Sequence, residues 1–332
     1  MRTLVTGATG FVGRYLVQHL EAQGHQCRCL VRSRHRAEAM PTLVHAELVE
    51  GDVTDPTSLS GMADGVDYVF HLAAVGHVSA VSQAAFQRFQ QVNVQGAQNV
   101  VEACAGTGIS KLVHFSSTAA MGLIHAPVVD ETTPCQPATP YQRSKRQGET
   151  VVLAAAWNKN VPVVIVRPCM VIGAGGHGEF RKFVRLMARG LFPKVGRGAN
   201  LTPVIHVQDA VHGAMLAAER GIPGEIYLLV GGSYPMDEIR RLVVAALGTS
   251  PPYPYLPAWL AFAGAWAVET LACKTGRVPM VTRRNIASTV ADRVFSIDKA
   301  KRQLGFTPQV SLAEATRETV TWYQTQGLLS CK

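Results

Sequence analysis

The chain has 332 residues, 47% of them hydrophobic and only 17% charged, and a mean hydropathy of +0.11. That length and oiliness exclude a disordered tail or a disulfide-stapled mini-protein, and allow one large core or two modest ones. Its 32 Lys and Arg outnumber its 23 Asp and Glu by 9, a surplus that favours anionic partners without choosing among phosphates, nucleic acid and lipid headgroups.

In chain order, residues 3–6 read as a short apolar strand. Residues 11–23 set Val12, Leu16, Val17 and Leu20 on one helical face, and Gly24 ends the run. Strands are expected at 26–31, at 46–49 before Gly51-Asp52, at 67–72 and at 111–116. One long helix carrying Val92, Val100, Val101 and Ala103 is expected between the last two. Thr139, Pro140 and Gln142 supply cap, first-turn proline and capping-box partner for a helix running to Trp157. A further strand follows at 161–167. Strand–helix alternation of this kind predicts an α/β fold, a doubly wound parallel sheet with helices on both faces.

After Pro168 the rhythm breaks. Residues 173–176 form a glycine loop, and strands at 204–207 and 225–230 are expected to return to the sheet. Asp209 is expected to cap a helix that runs to Arg220 and stops at Gly221. The division that follows is 1–168 plus 204–230 as the sheet domain, and 169–203 plus 231–332 as a smaller, mainly helical one.

Seven cysteines lie scattered at 27, 29, 104, 135, 169, 273 and 331, with no Cys-x-x-Cys pair. Cys27 and Cys29 point to one side of a strand. No metal site or disulfide framework is expected, and a reducing, cytoplasmic compartment fits best. A first strand beginning at Thr3 leaves no expected room for a signal peptide. The oiliest segment, 258–268, begins after Pro257 and ends at Glu269, short of the ~20 apolar residues that a membrane span needs.

Gly7-Ala8-Thr9-Gly10-Phe11-Val12-Gly13 follows the first strand and opens the first helix. In such a turn the first glycine permits the bend, the second admits a pyrophosphate and the third lets helix and strand pack closely. The helix N-terminus then offers N–H groups and a positive dipole end to the anion. The second strand ends in Val31-Arg32-Ser33-Arg34-His35-Arg36, with no carboxylate before Glu38. An NAD site usually places Asp or Glu there, whereas arginine suits a 2′-phosphate, so NADP(H) is favoured and NAD(H) stands second. Tyr141 and Lys145 lie at i and i+4 on one helix face, where an ammonium is expected to lower the phenol pKa and make it a usable acid/base. Ser116-Ser117-Thr118 closes a strand at the sheet edge where ligands of open α/β sheets bind.

These motifs are joined by Gly51-Asp52-Val53, His71-Leu72-Ala73-Ala74, Asn93 within Val-Asn-Val-Gln-Gly, Arg167-Pro168, Ile205-His206-Val207 with Asp209, and Asp298-Lys299-Ala300 with Leu304-Gly305-Phe306. With them the chain resembles, over nearly its whole length, the extended short-chain dehydrogenase/reductases. The resemblance implies a Rossmann domain that binds the dinucleotide and a C-terminal substrate-binding domain. It makes Thr118 the catalytic hydroxyl, Tyr141 the acid/base, and Lys145 the group that tunes Tyr141 and holds the nicotinamide ribose. The cofactor would be bound by Gly7, Thr9, Gly10, Phe11, Val12 and Gly13, by Arg32, by Asp52 and Val53 at the adenine, and by Leu72, Ala73 and Ala74 along the channel. Asn93, Ser116, Tyr141, Lys145 and Pro168 complete that set.

Within the family, a dehydratase carries an Asp-Glu pair where this chain has Ala119-Ala120. Nucleotide-sugar 4-epimerases carry Tyr-Gly where this chain has Met121-Gly122 and Ile172-Gly173, and commonly an arginine where it has Thr202. Arg181, Lys182, Arg185, Arg189, Lys194 and Arg197 could replace that grip, although a solvated helix face explains them better. The sequence looks closer to the 3β-hydroxysteroid dehydrogenase and dihydroflavonol-4-reductase branch, through residues 31–33, 256–269 and 276–279. That resemblance implies ketone–alcohol interconversion on a hydrophobic, steroid-, polycyclic- or alkyl-like substrate. The 4-epimerase is the alternative, and an NADP-sensing binding protein without turnover a minor one.

Trp259, Phe262 and Trp266 at helical spacing fit equally an oily lid, with peripheral membrane contact, or plain domain core. Cys135, Cys169 and Met170 fit either pocket or core. No basic–aromatic array accompanies the charge, so no nucleic acid is expected. By analogy with the family, a homodimer would pair through the helices holding Asn93–Ala105 and Tyr141.

Overall fold

A computed structural model of the chain describes residues 1–76, 83–249, 255–275, 279 and 281–329. Residues 276–278, within one of the resemblance segments, and Cys331 lie outside the described residues. The N-terminal strands are β1 (Arg2–Thr6), β2 (Gln26–Val31), β3 (Glu47–Glu50), β4 (Tyr68–His71), β5 (Lys111–Phe115) and β6 (Val163–Pro168). With β10 (Ile226–Leu229) they make a seven-stranded parallel sheet in the order β10-β6-β5-β4-β1-β2-β3. The order reverses between β1 and β4, which opens the crevice where Rossmann-like sheets bind their ligands.

Both faces of the sheet are covered. Successive residues of one strand enter opposite cores: Leu4, Val163 and Ile165 enter one, and Val5, Val164 and Val166 the other. The first core is closed by α4 (Gly96–Ala103) and α5 (Pro140–Lys159), through Val100, Val101 and Val152. The second is closed by α1 (Phe11–Ala22) and α7 (Val207–Arg220), through Leu16, Val17, Leu20, Val211 and Ala214. Cys27 and Cys29 lie buried together in that second core. Among the described residues no group of three or more His, Cys, Asp or Glu could hold a metal ion, and no helix is long and apolar enough to cross a membrane.

Several expectations are refined. The single helix before β5 is broken into α3 (Gln83–Phe89), a wide π-helical stretch from Gln90 to Gln95, and α4. The wide turn buries Asn93, whose amide is spent on the Val75 backbone and the Ser144 hydroxyl. The capping box at Thr139 forms as expected. Of the two strands expected to rejoin the sheet, only β10 does so. The other, β9 (Leu201–His206), is the centre of a three-stranded sheet with β7 (Met170–Ile172) and β11 (Gly232–Pro235). The reason is that β10 fills the place beside β6, while β9 faces two ways: Ile205 into the main core, Val204 into a separate one. That separate core packs α6 (Glu179–Ala188), α8 (Met236–Leu247) and α12 (Leu312–Thr325) through Phe180, Val184, Ile239, Val243 and Val320.

Asp209 is not the cap of α7. His206 holds that position, and Asp209 lies buried in the first turn, where its two carboxylate oxygens accept the backbone N–H groups of Gln309 (2.8 Å) and Val310 (3.1 Å). It therefore latches the C-terminal segment, just before α12, to the main sheet domain. Asp209→Ala would leave both donors without an acceptor, and is expected to lower the unfolding free energy by about 1–3 kcal/mol. The check is the urea midpoint at unchanged m-value; an unmoved midpoint would rule the latch out.

Candidate active site

The glycine turn is shaped by contacts that a side chain would block. Gly7 has φ +77°, and a Cβ there would stand 2.7 Å from the Ala73 nitrogen, against the end of β4. A Cβ on Gly13 would stand 2.2 Å from the Gly7 carbonyl oxygen. Gly10 caps α1 with no side-chain hydrogen bond, and no acidic residue occupies the first turn. The first-turn N–H groups thus meet no competing carboxylate of their own helix, which suits a pyrophosphate. Thr9 is exposed beside them, and Phe11 and Val12 are half-buried. Thr6 locks the neighbouring loop by meeting His71 Nδ1 at 2.7 Å and accepting the Ala73 N–H at 3.3 Å.

At the end of β2, Arg32 is exposed. Arg34 is committed elsewhere: its backbone N–H bonds Glu50 (3.2 Å) and its guanidinium the Leu48 carbonyl (2.8 Å). The Asp52 carboxylate accepts both the N–H and the hydroxyl of Thr54 (2.9 and 2.8 Å). Val53 is buried, and its carbonyl accepts from Asn99 at 2.9 Å. Leu72 and Ala73 are half-buried and Ala74 exposed along the loop after β4, and Pro168 is buried at the end of β6.

Asn93 is buried and fully used. Its oxygen accepts the Val75 N–H (2.7 Å), and its nitrogen donates to the Val75 carbonyl (3.1 Å) and to Ser144 (3.0 Å). It therefore ties the loop after β4 to the helix that carries Tyr141. Gly148 permits this approach, since a Cβ there would lie 2.4 Å from the Asn93 carbonyl oxygen.

Tyr141, half-buried at the start of α5, shares a hydrogen bond with Ser117 at the end of β5. Ser117 also accepts the Ala119 N–H at 3.1 Å and so caps a single 3₁₀ turn that begins at Thr118. Ser116 is turned away, buried, and donates to Glu149 at 2.5 Å. Lys145 is buried and donates to the Phe115 carbonyl at 2.8 Å. Burial pushes its pKa down to about 8, against the opposing pull of Glu149. Burial likewise raises the Tyr141 pKa, with the Ser117 hydrogen bond lowering it in part. The expected acidification of the phenol by Lys145 is thus not the governing effect in the free protein. The ammonium reaches down to the strand carbonyl, and desolvation favours the neutral form of both groups.

Beneath Lys145 lie two buried imidazoles, His71 and His114, with ring centroids 5.2 Å apart. Burial and the Lys145 charge lower His71 to about 3, and burial, His71 and Lys145 lower His114 well below its ordinary value, so both are neutral. Glu149 is held by Arg167 through two bonds, Nε to Oε1 (2.8 Å) and Nη2 to Oε2 (2.7 Å), and by Arg146 (3.1 Å). Arg167 also reaches Cys135 Sγ at 3.7 Å.

Ser117 and His71 stand in the sequence only as members of longer motifs, with no role of their own, and Glu149 and His114 were not singled out. Glu149 carried a usable signal: it lies four residues beyond Lys145 and so continues the Tyr141–Lys145 stripe of α5.

The profile of the NAD dependent epimerase/dehydratase family matches residues 3–229. A putative dihydroflavonol 4-reductase of Synechocystis sp. is 32% identical, covering 97% of this chain and 94% of its own. A 3-beta-hydroxysteroid dehydrogenase of Mycolicibacterium neoaurum is 30% identical, covering 97% and 91%. The crystal structure of gox2253 superposes with a TM-score of 0.82 at 33% identity, covering 98% of both chains.

Since burial lowers the Lys145 pKa to about 8, the unfolded chain binds that proton more tightly than the native one. Stability should therefore gain a rising component with pH from about 8 towards the ordinary lysine value of ~10.4. Urea unfolding at stepped pH is expected to show a smaller rise for Lys145→Met than for the parent. Equal slopes would mean that the native lysine titrates normally.

Proposed function

The chain belongs to the NAD dependent epimerase/dehydratase family, as an enzyme of the extended short-chain dehydrogenase/reductase type, and from that premise we propose that it interconverts a ketone and a secondary alcohol on an apolar ring- or alkyl-type substrate. The observation that carries this reading is the meeting of Tyr141, Ser117 and Lys145 at the C-terminal edge of β5, on the same side of the sheet as the glycine turn. The turn fits a dinucleotide: a Cβ would fill the close approaches at Gly7 and Gly13, and the helix N-terminus behind it offers N–H donors. A nicotinamide dinucleotide held there would supply the hydride.

The protein's own part is proton movement and orientation. In the reducing direction the Tyr141 hydroxyl gives its proton to the substrate oxygen, and in the oxidising direction it takes the proton back. The raised pKa keeps the phenol protonated at neutral pH, as a donor must be. The resemblance assigns the hold on the substrate oxygen to Thr118; the bond between Ser117 and the phenol supports Ser117 as a second hydroxyl at that oxygen. Lys145, fixed by the Phe115 carbonyl, keeps a cation within the site below about pH 8.

Two features support an apolar substrate over a nucleotide sugar. Met121 and Thr202, at the positions where sugar-nucleotide epimerases use polar or cationic groups, are both buried in packing. Two relatives similar over nearly their full length are named a putative dihydroflavonol 4-reductase and a 3-beta-hydroxysteroid dehydrogenase. The exposed Arg32, with no carboxylate at the end of β2, supports NADP(H) over NAD(H).

The test is a nicotinamide absorbance assay with both cofactors on steroid, other polycyclic and long-alkyl ketones, set against UDP-sugars. Net NADPH consumption with a ketone is expected; sugar inversion without net consumption would make the enzyme an epimerase instead. Tyr141→Phe is expected to lower turnover by at least ~10²-fold while cofactor binding, read by fluorescence, persists. Thr118→Val and Ser117→Ala are each expected to cost on the order of 10²-fold, and a variant with parental turnover removes its hydroxyl from the mechanism. Arg32→Asp is expected to reduce or invert the NADPH-over-NADH ratio of kcat/KM, and an unchanged ratio would reject the 2′-phosphate assignment.

A further inference from the structure

Arg293 is a half-buried cation that no acid of the fold neutralises. Its Nε is shut off from solvent and bonds no group among the described residues. The titratable group whose charge acts on the guanidinium is the Cys169 thiol, not an Asp or a Glu. The adjoining Asp292 is spent on the Leu201 N–H, which it accepts at 2.7 Å. Other buried arginines are matched: Arg167 by Glu149 at 2.7 Å, and Arg240 by the Pro193 carbonyl at 3.1 Å with Asp237 at 3.9 Å. A guanidinium does not shed its proton to escape burial, so an unmatched one lowers stability. A polar group left short of partners in this way needs a reason, and a ligand that completes it is one.

Backbone bonds fix where the side chain stands. The Arg293 N–H donates to the Leu201 carbonyl at 2.9 Å, at the start of β9. The Val129 N–H donates to the Val294 carbonyl (2.8 Å) and the Ser296 N–H to the Val129 carbonyl (2.9 Å), so this segment runs extended beside Val129. Phe295 packs from it against the cluster of Met121, Ile124 and Val129, and against the main core that holds Cys169. Residues two apart on an extended run face one way, which puts Arg293 on the side of Phe295, in agreement with the action of Cys169 upon it. Met121 ends the 3₁₀ turn that begins at Thr118. Cys169 directly follows β6, and β6 lies beside β5 with Val166 opposite Phe115, two residues before Ser117. The guanidinium therefore stands at the C-terminal edge of the sheet, by the strand end and the turn that carry Ser117 and Thr118.

We propose that Arg293 receives a carboxylate of the substrate, so that the enzyme acts on an apolar ketone or alcohol that also bears an acid group. For the reacting end this rests on the ketone–alcohol reading; for the acid it rests on Arg293 alone. One guanidinium carries one charge and presents paired N–H donors that match the two oxygens of a carboxylate. A phosphate monoester would bring up to two charges to a setting of Met121, Phe295 and Cys169 with one cation to meet them. A neutral substrate would leave the cation as unmatched as it is in the free protein. With its acid at Arg293 and its carbonyl at Tyr141, a substrate is anchored at two polar points and has one orientation between them.

The enzyme, with oxidised cofactor present so that no ketone is reduced, is titrated by calorimetry with oxodecanoic acids, dehydrocholic acid and decanoic acid, each against its own primary amide. At least one acid is expected to bind about tenfold or more tightly than its amide, as for a hydrogen-bonded charge pair set against a neutral one. Arg293→Met should bring that acid down to the affinity of the amide, and Arg293→Lys should keep part of the difference. Ligand-free Arg293→Met should also unfold at a higher urea midpoint than the parent, because it removes an unmatched charge; an arginine with a merely structural role would give a lower one. If Arg293→Met does not fold, the acid-to-amide ratio of the parent and of Arg293→Lys decides. Two results overturn the proposal: every acid binding like its amide or not at all, or an acid preference that survives in Arg293→Met. NADPH consumption keeps the two readings apart. Acid-selective binding that includes decanoate, with no consumption on any ketone, defeats the ketone–alcohol reading alone. Equal consumption on oxo acids and their amides, with no difference in binding, defeats the carboxylate alone.

Discussion

Arg167 and Glu149 meet in the interior with 1% and 0% of their side chains exposed, and the geometry around the phenol hangs on that contact. A buried ion pair is favourable only when its remaining donors and acceptors are matched. Here the carboxylate is nearly saturated, by two bonds from Arg167, one from Arg146 and one from Ser116, while Nη1 of Arg167 is buried without a hydrogen-bond partner among the described residues. The pair joins three elements at once: the end of β6 through Arg167, the end of β5 through Ser116, and α5 one turn beyond Lys145. Ser116 precedes the serine that meets Tyr141, and Lys145 bonds the carbonyl just before it. Position and direction of the helix that carries Tyr141, relative to the strand end, are therefore set by charge and hydrogen bonds, where apolar packing alone would let the helix slide.

The glycine turn is coupled to this centre through backbone. Thr6 and His71 join the ends of β1 and β4, and the Ala73 N–H closes the loop onto the same threonine. Asn93 then grips Val75 of that loop with one side of its amide and Ser144 of α5 with the other. The wide helical turn that holds Asn93 breaks the regularity of its helix, and the break gives the amide its reach. The glycine turn, the loop after β4 and the helix that carries Tyr141 are thus joined by hydrogen bonds into one connected unit.

The remainder of the molecule is organised by strand alternation. β9 presents neighbouring residues to two different cores, so the C-terminal helices are built onto the sheet through the same strand that completes their own layer. Asp209 adds a polar latch where that layer returns. The helix α9 (Ala258–Thr275) turns several large apolar side chains outwards, Trp259 and Trp266 among them, and is held by the ion pair of its Glu269 with Arg283.

Local signals told much of this in advance. The glycine turn, the capping box of α5 and the stripe of Tyr141 and Lys145 are each written within a few consecutive residues, and the parallel sheet in the alternation of strands and helices, because backbone conformation at glycine, helix capping and hydrophobic period act at short range. What only the tertiary structure decided are matters of placement between distant segments. Asp209 looks like a cap in sequence and serves as a latch, because its partners lie a hundred residues away. Ser117 meets the phenol because the rotation of one 3₁₀ turn decides which hydroxyl of three faces it. Lys145 is drawn towards a strand carbonyl and away from its full charge by burial, and α9, apolar on every side, offers no period from which to tell the face that packs from the face left open.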